Sequence, residues 1–240
     1  MTVSPYQDTE KNKKQQVEQM FDHIAPKYDF LNHFLSMGID RLWRKKAVSM
    51  LRIHHPERVL DVASGTGDFA IETAKISPSE IIGFDLSEQM IRVGAEKVKR
   101  LGLDRLIRFE KGDSEQMPFP SGSFDAITVA FGVRNFENLE KGLQEFHRVL
   151  KPGGVAMILE FSRPRAFPFK QLYLFYFRHI LPFIGGMVSK DSSAYIYLPE
   201  SVMAFPDDQD FLDILARIGF SRSRQRRLTM GIATIYEAVK

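Results

Sequence analysis

The chain has 240 residues, and 33 Lys and Arg against 30 Asp and Glu give it a formal net charge of +3. Hydrophobic residues make up 44% and charged residues 26%, which is typical of a globular protein and excludes a chain disordered along its whole length. The sequence contains no cysteine, which excludes disulfide scaffolds, thiolate metal sites and cysteine nucleophiles.

The N-terminal part of the chain is predicted to form a helical cap over about residues 17–56. The polar stretch before it is expected to be frayed through about Gln16. Apolar residues then recur every three or four positions across residues 21–35, which is typical of a helix. Pro26 interrupts this pattern, so we expect two helices separated by a break, followed by a third helix from about Asp40 to Leu51.

After the cap, short apolar runs alternate with amphipathic stretches, a pattern that predicts a parallel sheet with helical crossovers. The predicted strands are Arg58–Val62, Glu80–Asp85, Ile107–Lys111, Phe124–Ala130, Val155–Phe161, Phe220–Leu228 and Ile232–Val239. The predicted helices are Asp68–Lys75, Ser87–Leu101, Asn138–Leu150 and Asp207–Ile218. A turn at Met230–Gly231 predicts a hairpin of the last two strands. One α/β domain over residues 1–240, with an aromatic-rich insertion at about 165–205, accounts for this order.

The first predicted strand leads into a glycine-rich turn, Ala63-Ser64-Gly65-Thr66-Gly67-Asp68. Such a turn can present backbone N–H groups to an anionic group at a helix N-terminus, although it could also serve only to reverse the chain. Asp61 and Asp68 flank the turn with no Lys or Arg between them. Two carboxylates would repel a pyrophosphate, so a nicotinamide dinucleotide is disfavoured. S-adenosylmethionine, which carries a sulfonium and no phosphate, suits the turn better.

Acidic residues also follow the next two predicted strands. Asp85 ends the second strand, where a carboxylate can accept hydrogen bonds from both hydroxyls of a ribose. A helix-capping role is the alternative for Asp85, but Ser87 is better placed for it. Asp113 and the backbone of Ser114 follow the third strand and would suit an adenine ring. Because the carboxyl ends of parallel strands meet at one edge, we expect a single crevice there.

These features together resemble a class I S-adenosylmethionine-dependent methyltransferase. Three stretches are similar to the signatures of the quinone-biosynthesis C-methyltransferases: Tyr28–Trp43, Phe131–Asn135 and Arg148–Ser162. The resemblance covers about Phe21 to Val239. It departs from the family at His33, where an acid is usual, and at Ala130, where some members have a serine, so Ala130 is left out of the predicted site.

The resemblance implies a Rossmann-like fold with a mostly parallel seven-stranded sheet, an antiparallel C-terminal hairpin and an N-terminal helical cap. It places the cofactor, S-adenosylmethionine, against Thr66, Asp85, Asp113 and Ser114. Together with the loop argument, the predicted cofactor-binding residues are Asp61, Gly65, Thr66, Gly67, Asp85, Asp113 and Ser114.

The implied reaction is C-methylation of a prenylated quinol ring, with demethylmenaquinol converted to menaquinol. The alternative substrate is the polyprenyl methoxy-benzoquinol precursor of ubiquinone. An RNA methyltransferase is a further alternative because basic residues cluster near the C-terminus, but no interleaving of aromatic and basic residues marks a base-stacking strand, so no nucleic-acid partner is expected. A dinucleotide oxidoreductase and a non-catalytic binding module are disfavoured by the loop.

Three residues are predicted to act on the acceptor ring. Arg134 follows the fourth predicted strand, where its guanidinium could stabilise a phenolate-like oxygen; a salt bridge at the surface or one that anchors the cap is the alternative. Asn135 could hold the second quinol oxygen. Tyr28 could close over the ring, or could be an ordinary core residue.

The remaining expectations concern partners and location. The six histidines show no metal-ligand spacing with acids, so no metal is expected. No stretch reaches the ~20 apolar residues of a spanning helix, and the first residues lack the core of a signal peptide, so we expect a cytoplasmic protein. The aromatic side chains of residues 167–183 and the basic face of Arg222, Arg224 and Arg226 predict peripheral contact with a membrane. Ordinary core or a homodimer face is the alternative for the aromatic residues, and a solvated strand is the alternative for the basic face.

Overall fold

A computed structural model describes residues 3–6, 8, 10–176, 180 and 193–240 of the chain. Two members of the predicted aromatic stretch, Phe177 and Phe183, lie outside the described residues.

The described residues form a seven-stranded sheet with the strand order β3-β2-β1-β4-β5-β7-β6. The strands are β1 Arg58–Val62, β2 Glu80–Asp85, β3 Ile107–Lys111, β4 Phe124–Ala130, β5 Leu150–Phe161, β6 Arg222–Leu228 and β7 Ala233–Val239. Strands β1 to β5 pair in parallel, and β7 is antiparallel to both β5 and β6. The predicted fold class is confirmed. The strand order reverses between β1 and β4, the position at which such sheets open a ligand crevice.

Helices cover both faces of this sheet and its carboxyl edge. They are α1 Lys13–Ile24, α2 Tyr28–Leu35, α3 Ile39–Leu51, α4 Asp68–Thr73, α5 Glu88–Arg100, α6 Leu139–Val149, α7 Phe169–Phe175, α8 Ser193–Ala204 and α9 Gln209–Ile218. Because the central strands are buried on both faces, they are almost continuously apolar, and Val59, Leu60 and Ile127 are all fully buried. None of the described helices is long and apolar enough to cross a membrane.

The first helix begins nearer the N-terminus than the sequence suggests. Helix α1 begins at Lys13, because Asn12 accepts a hydrogen bond from the Gln15 backbone and the Gln15 side chain accepts one from the Asn12 backbone, a capping box. Gln16 is only 3% exposed and donates to the carbonyls of Asp8 and Lys11. The expectation that fraying extends to Gln16 is therefore wrong, since the Gln16 side chain is buried and its amide group is hydrogen-bonded.

Two other boundaries differ from the prediction. Strand β5 begins at Leu150, before Pro152, and its register against β4 shifts between Phe124 and Ala126. An irregularity of this kind accommodates a proline within a strand. Helix α4 ends at Thr73, and a short 3-10 turn, Ala74–Ile76, completes the segment.

The cap and the insertion pack against each other above the carboxyl edge of the sheet. Val17 and Met20 of α1 and Leu31 of α2 share one apolar cluster with Tyr173 of α7 and Tyr197 of α8. Both segments therefore contribute walls to the region above the crevice.

Candidate functional site

A cavity lies between the glycine loop, the ends of β2 and β3, and helix α1. Four of the predicted cofactor-binding residues line it: Gly65, Asp85, Asp113 and Ser114. Ala130, which the sequence interpretation left out of the site, also lines this cavity. The structure therefore brings residues from three strand ends together, as the sheet topology requires.

Asp85 joins the glycine loop to the start of α5. One carboxylate oxygen accepts a hydrogen bond from the Gly65 backbone N–H at 2.7 Å, and the other accepts one from the Ser87 N–H at 2.8 Å. Ser87 caps α5, as predicted, by accepting from the Met90 N–H. Burial raises the pKa of Asp85, against the effect of these backbone bonds. A carboxylate fixed in this way has lone pairs left for further hydroxyl donors.

Lys14 closes the cavity from the side of α1. Its Nζ lies 2.6 Å from a carboxylate oxygen of Asp113 and 3.4 Å from one of Glu115. Burial opposes the charged form of Lys14, but these two acids outweigh it and raise its pKa. The adjacent Lys13 donates to the Arg134 and Phe136 carbonyls. Sequence reasoning missed both lysines because they lie in the stretch that was expected to be frayed.

The wall of this cavity is strongly acidic. Lys14 is its one cation among the described lining residues, against five carboxylates: Glu18, Asp85, Asp113, Glu115 and Glu137. A pyrophosphate would be repelled by this wall, whereas a phosphate-free ligand with cationic groups and hydroxyl or amino donors fits it. S-adenosylmethionine has that chemistry, so the residues present suit it.

Three of the predicted cofactor-binding residues do not line the cavity. Asp61 is 1% exposed, and its carboxylate accepts hydrogen bonds from the Ala70 N–H at 3.1 Å and the Thr128 hydroxyl at 2.7 Å. Burial raises the pKa of Asp61 to about 7. Thr66 is buried and donates to Asp29 on α2. Gly67 has a φ of 81°, and a Cβ there would lie 2.7 Å from the Phe109 ring. These three residues therefore stabilise the glycine loop without lining the cavity.

The Asp68 carboxylate also does not act as an isolated negative charge towards a phosphate. Its carboxylate lies 2.7 Å from the Lys97 Nζ of α5, 3.3 Å from the His33 Nε2 and 3.8 Å from Arg44. The sequence around the turn contains no Lys or Arg, and these three partners are distant from Asp68 in the sequence. Lys97 also pairs with Asp29 at 2.7 Å, so it ties the cap to the glycine loop.

The contacts of His33 correct the prediction that the histidines have no acids at ligand spacing. His33 lies 2.9 Å from Asp40 and 3.3 Å from Asp68, and the three side chains offer ligand atoms within 4.8 Å of one another. Histidine therefore does meet acids in the fold. Arg44 is also bonded to Asp40, and both Arg44 and Lys97 lie against Asp68, so cations already neutralise these carboxylates.

A second cavity of about 360 Å³ lies between the cap, helices α7 and α8, and the β6–β7 turn. Its wall is largely apolar and includes Met20, Leu31, Trp43, Tyr173, Tyr197 and Ile232. Four residues line both cavities: Phe21, Tyr28, Phe131 and Asn135. The acidic cavity and the apolar cavity therefore meet at one junction.

Arg134 lines the apolar cavity at this junction. Its Nη1 lies 2.8 Å from the Glu160 carboxylate and also donates to the Phe131 carbonyl, and its guanidinium lies 5.4 Å from the centre of the Phe161 ring. Glu160 is fully buried, and burial raises its pKa. The alternative predicted for Arg134 is a salt bridge at the surface or to the cap, whereas the observed ion pair is buried and joins Arg134 to β5. Sequence reasoning missed Glu160, although it stands in the third quoted signature stretch.

Asn135 and Tyr28 complete the polar part of the junction. Asn135 is 8% exposed, and its Nδ2 donates to the Phe131 carbonyl at 3.3 Å, whereas its Oδ1 has no hydrogen-bond partner among the described residues. Tyr28 is half-buried, its ring packs edge-on against Phe21 with centroids 6.0 Å apart, and burial raises its pKa.

Residues 9–240 match a family model described as the ubiE/COQ5 methyltransferase family. Demethylmenaquinone methyltransferase of Bacteroides fragilis is 51% identical over 239 residues, 99% of this chain and 97% of that protein. The enzyme of the same name from Porphyromonas gingivalis is 48% identical, covering 99% and 98%. The ubiquinone/menaquinone biosynthesis C-methyltransferase of Geotalea uraniireducens is 49% identical, covering 97% and 98%.

Solved structures support the fold. A SAM-dependent methyltransferase from Thermotoga maritima superposes with a TM-score of 0.66 at 19% identity, covering 92% of this chain and 99% of that one. A methyltransferase from Methanococcus maripaludis, described as S-adenosylmethionine-dependent, gives a TM-score of 0.61 at 18% identity, covering 98% and 96%.

Proposed function

The chain belongs to the ubiE/COQ5 methyltransferase family. On that premise we propose which of its two cavities binds the cofactor and which binds the methyl acceptor. The protein is an S-adenosylmethionine-dependent C-methyltransferase of quinone biosynthesis. Its acceptor is a prenylated quinol, and demethylmenaquinol is the acceptor that the names of the relatives support. The observation that carries the assignment of the cavities is their junction at Tyr28 and Asn135, beside Arg134.

The acidic cavity is the cofactor site. Asp85 would accept the ribose hydroxyls, and Asp113 with the Ser114 backbone would hold the adenine, while Gly65 leaves room for the chain of the methionine. When bound, S-adenosylmethionine supplies a methyl group on a positively charged sulfur. The protein's remaining task is to hold the acceptor carbon in line with that methyl group, which is a proximity effect.

The apolar cavity is the acceptor site, and Arg134 is the catalytic residue in it. A quinol hydroxyl has an ordinary pKa near 10, and its ring carbon becomes a better nucleophile as that proton is lost. The Arg134 guanidinium would stabilise the resulting negative oxygen in a site from which the apolar wall excludes water. Arg134 stays protonated and is therefore not the base. Asn135 would hold a ring oxygen, and Tyr28 would cover the ring.

The prenyl tail would leave the apolar cavity through an exposed rim. Met37 and Leu172, which line the cavity, are 81% and 60% exposed. The rim continues to Phe30 and Phe34 beside Met37 and to Phe175 one turn after Leu172, and these three are more than half exposed. We define these five side chains as the apolar rim. An apolar rim around a cavity for a lipid-soluble substrate is suited to contact with a bilayer.

Basic residues beside this rim favour an anionic membrane surface. Arg41 and Lys45 of α3 are exposed and make no ion pair within the described part of the chain. In the predicted basic face, Arg224 pairs with Glu237 at 2.8 Å, whereas Arg222 and Arg226 are exposed and make no ion pair within the described part of the chain. We propose peripheral contact with the cytoplasmic face of a membrane through the apolar rim and α3, with the β6 face as the further candidate.

A comparison of three acceptors tests the proposed function. Purified protein with methyl-labelled S-adenosylmethionine is offered a prenylated demethylnaphthoquinol, a prenylated methoxy-benzoquinol and total RNA in separate reactions. We expect the highest kcat/KM with the demethylnaphthoquinol and no label in RNA. A higher kcat/KM with the methoxy-benzoquinol would assign the alternative substrate, and label in RNA alone would overturn the proposal.

A further inference from the structure

Tyr197 is a buried polar residue of the apolar cavity that the proposed mechanism does not use. It lies on α8, is 3% exposed and lines the cavity. Its hydroxyl is buried and makes no hydrogen bond to any described residue. Buried hydroxyl groups are nearly always paired, and an unpaired one costs about 1–3 kcal/mol, so this exception calls for an explanation.

A second orphaned atom lies in the same cavity. Asn135 Oδ1 is also buried without a hydrogen-bond partner in the described structure, although the amide nitrogen of Asn135 is satisfied by a carbonyl. Helix α8, which carries Tyr197, contacts the turn Val133–Asn135, which carries both Arg134 and Asn135. Burial raises the pKa of Tyr197 to about 12, so the group is a neutral hydroxyl that can donate.

The fold provides partners for comparable hydroxyls elsewhere. Tyr176 lines the same cavity, and its hydroxyl donates to the Leu35 carbonyl at 2.9 Å. The Tyr236 hydroxyl accepts from the Asp208 N–H at 2.8 Å. The fold therefore provides hydrogen-bond partners for the hydroxyls of Tyr176 and Tyr236, whereas that of Tyr197 has none among the described residues.

We propose that Tyr197 and Asn135 form a polar subsite for the quinol hydroxyl that is not stabilised by Arg134, an inference that rests on the proposed function. Tyr197 would donate to the oxygen of this hydroxyl, and Asn135 Oδ1 would accept its hydrogen. The oxidised quinone has a carbonyl there, which accepts from Tyr197 but leaves Asn135 Oδ1 unpaired. The subsite therefore favours the reduced ring, the only form that can become a nucleophile.

The test is a binding experiment that needs no turnover. A short-tailed demethylnaphthoquinol, kept reduced, is compared with the naphthol that lacks the hydroxyl beside the tail. Each is titrated into the wild-type protein, Tyr197→Phe and the matched control Tyr236→Phe, with S-adenosylhomocysteine present; Tyr236 is fully buried and does not line the cavity. We expect Tyr197→Phe to weaken the quinol about tenfold, equivalent to about 1.4 kcal/mol, and to change the naphthol less than twofold.

Thermal unfolding separates recognition from structure. Tyr197→Phe removes an unpaired hydroxyl, so its Tm should not fall, whereas Tyr236→Phe loses the hydrogen bond from the Asp208 N–H, so its Tm should fall while quinol binding is kept. Equal weakening of quinol and naphthol by Tyr197→Phe, or an unchanged quinol affinity, would overturn the subsite. Binding of neither compound to the wild-type protein would instead contradict the proposed acceptor, and the subsite with it.

Discussion

The Nη1 atom of Arg134 lies 2.8 Å from the Oε1 atom of Glu160, and the ion pair is almost completely buried: Glu160 is fully buried and 8% of the Arg134 side chain is exposed. Glu160 also accepts a hydrogen bond from the Phe161 N–H at 2.8 Å, so its carboxylate is fixed to the backbone of β5. A guanidinium held by such a carboxylate has little rotational freedom. Glu160 is therefore a positioning residue for Arg134, which alone of the two lines the cavity.

The first prediction concerns this pair. Arg134→Ala leaves the Glu160 carboxylate buried without its cation, so the free energy of unfolding should fall by about 3–5 kcal/mol. Adding Glu160→Gln to Arg134→Ala should recover part of that loss, as measured by urea unfolding. Equal stability of the single and double variants would show that the two side chains are not coupled.

The double variant also tests the catalytic role of Arg134 without leaving a buried, unpaired carboxylate at position 160. We expect Arg134→Ala/Glu160→Gln to lower kcat by about 10²–10³, the usual cost of removing one group that stabilises an oxyanion. The dissociation constant of S-adenosylmethionine should stay within about twofold, because Arg134 does not line the cofactor cavity. Wild-type turnover in the folded double variant would show that Arg134 has a structural role and no catalytic one.

The cofactor site gives the second prediction. Asp85→Asn removes a charged acceptor of the ribose hydroxyls, worth about 1.5–3 kcal/mol, so the dissociation constant of S-adenosylmethionine should rise about 10- to 150-fold. Asp104→Asn is the control, since Asp104 is exposed and does not line the cavity. Isothermal titration calorimetry measures both. If the two variants bind equally well, Asp85 does not contact the cofactor.

The positions of these acids show how much of the site the sequence predicts. Asp85, Asp113 and Ser114 were predictable because they directly follow strands, and the topology of a parallel sheet brings strand ends together. Thr66 and Asp61 occur in the same motif, yet their side chains point to other partners. A motif assigns residues to a loop, but burial decides which of them face the ligand.

The rest of the site depends on contacts between residues distant in the sequence. Asp68 meets Lys97, and Asp113 meets Lys14, across separations that no local pattern reveals. Tyr197 lies in the insertion, whose aromatic richness predicted an apolar surface but not a polar group inside a cavity. Such contacts follow only from the tertiary packing of the cap, the insertion and the helices of the sheet domain.

The third prediction is a pH dependence of stability. The pKa of Asp61 is about 7 in the folded protein and near 3.9 in an unfolded chain, so between these values the folded state holds a proton that the unfolded state lacks. Raising the pH through this window therefore destabilises the wild type. Relative to Asp61→Asn, its free energy of unfolding should fall by up to about 4 kcal/mol.

Urea unfolding at several pH values from 4 to 8 measures this difference. The Asn variant can still accept from the Ala70 N–H and donate to Thr128, so it should fold. A stability difference that stays constant, or that favours the wild type more as the pH rises, would show that Asp61 is ionised throughout.

The fourth prediction concerns the apolar rim. The triple variant Phe30→Ser/Phe34→Ser/Met37→Ser should lose flotation with anionic vesicles, because it removes exposed apolar area beside the basic residues of α3. Ile53→Ser/Leu101→Ser is the control, since both residues are exposed and lie outside the cavity wall. Added salt should weaken flotation of the wild type. Equal flotation of the two variants would exclude the rim as the contact surface.

The position of the transferred methyl group tests the central claim most directly. The protein is incubated with S-adenosylmethionine labelled with carbon-13 in the methyl group and with a reduced, prenylated demethylnaphthoquinol, and the product is examined by NMR. A methyl group bonded to the ring carbon is expected, because Arg134 at the junction of the cavities would activate that carbon through its neighbouring oxygen. A methoxy product, or no transfer by folded protein with both compounds present, would contradict the account.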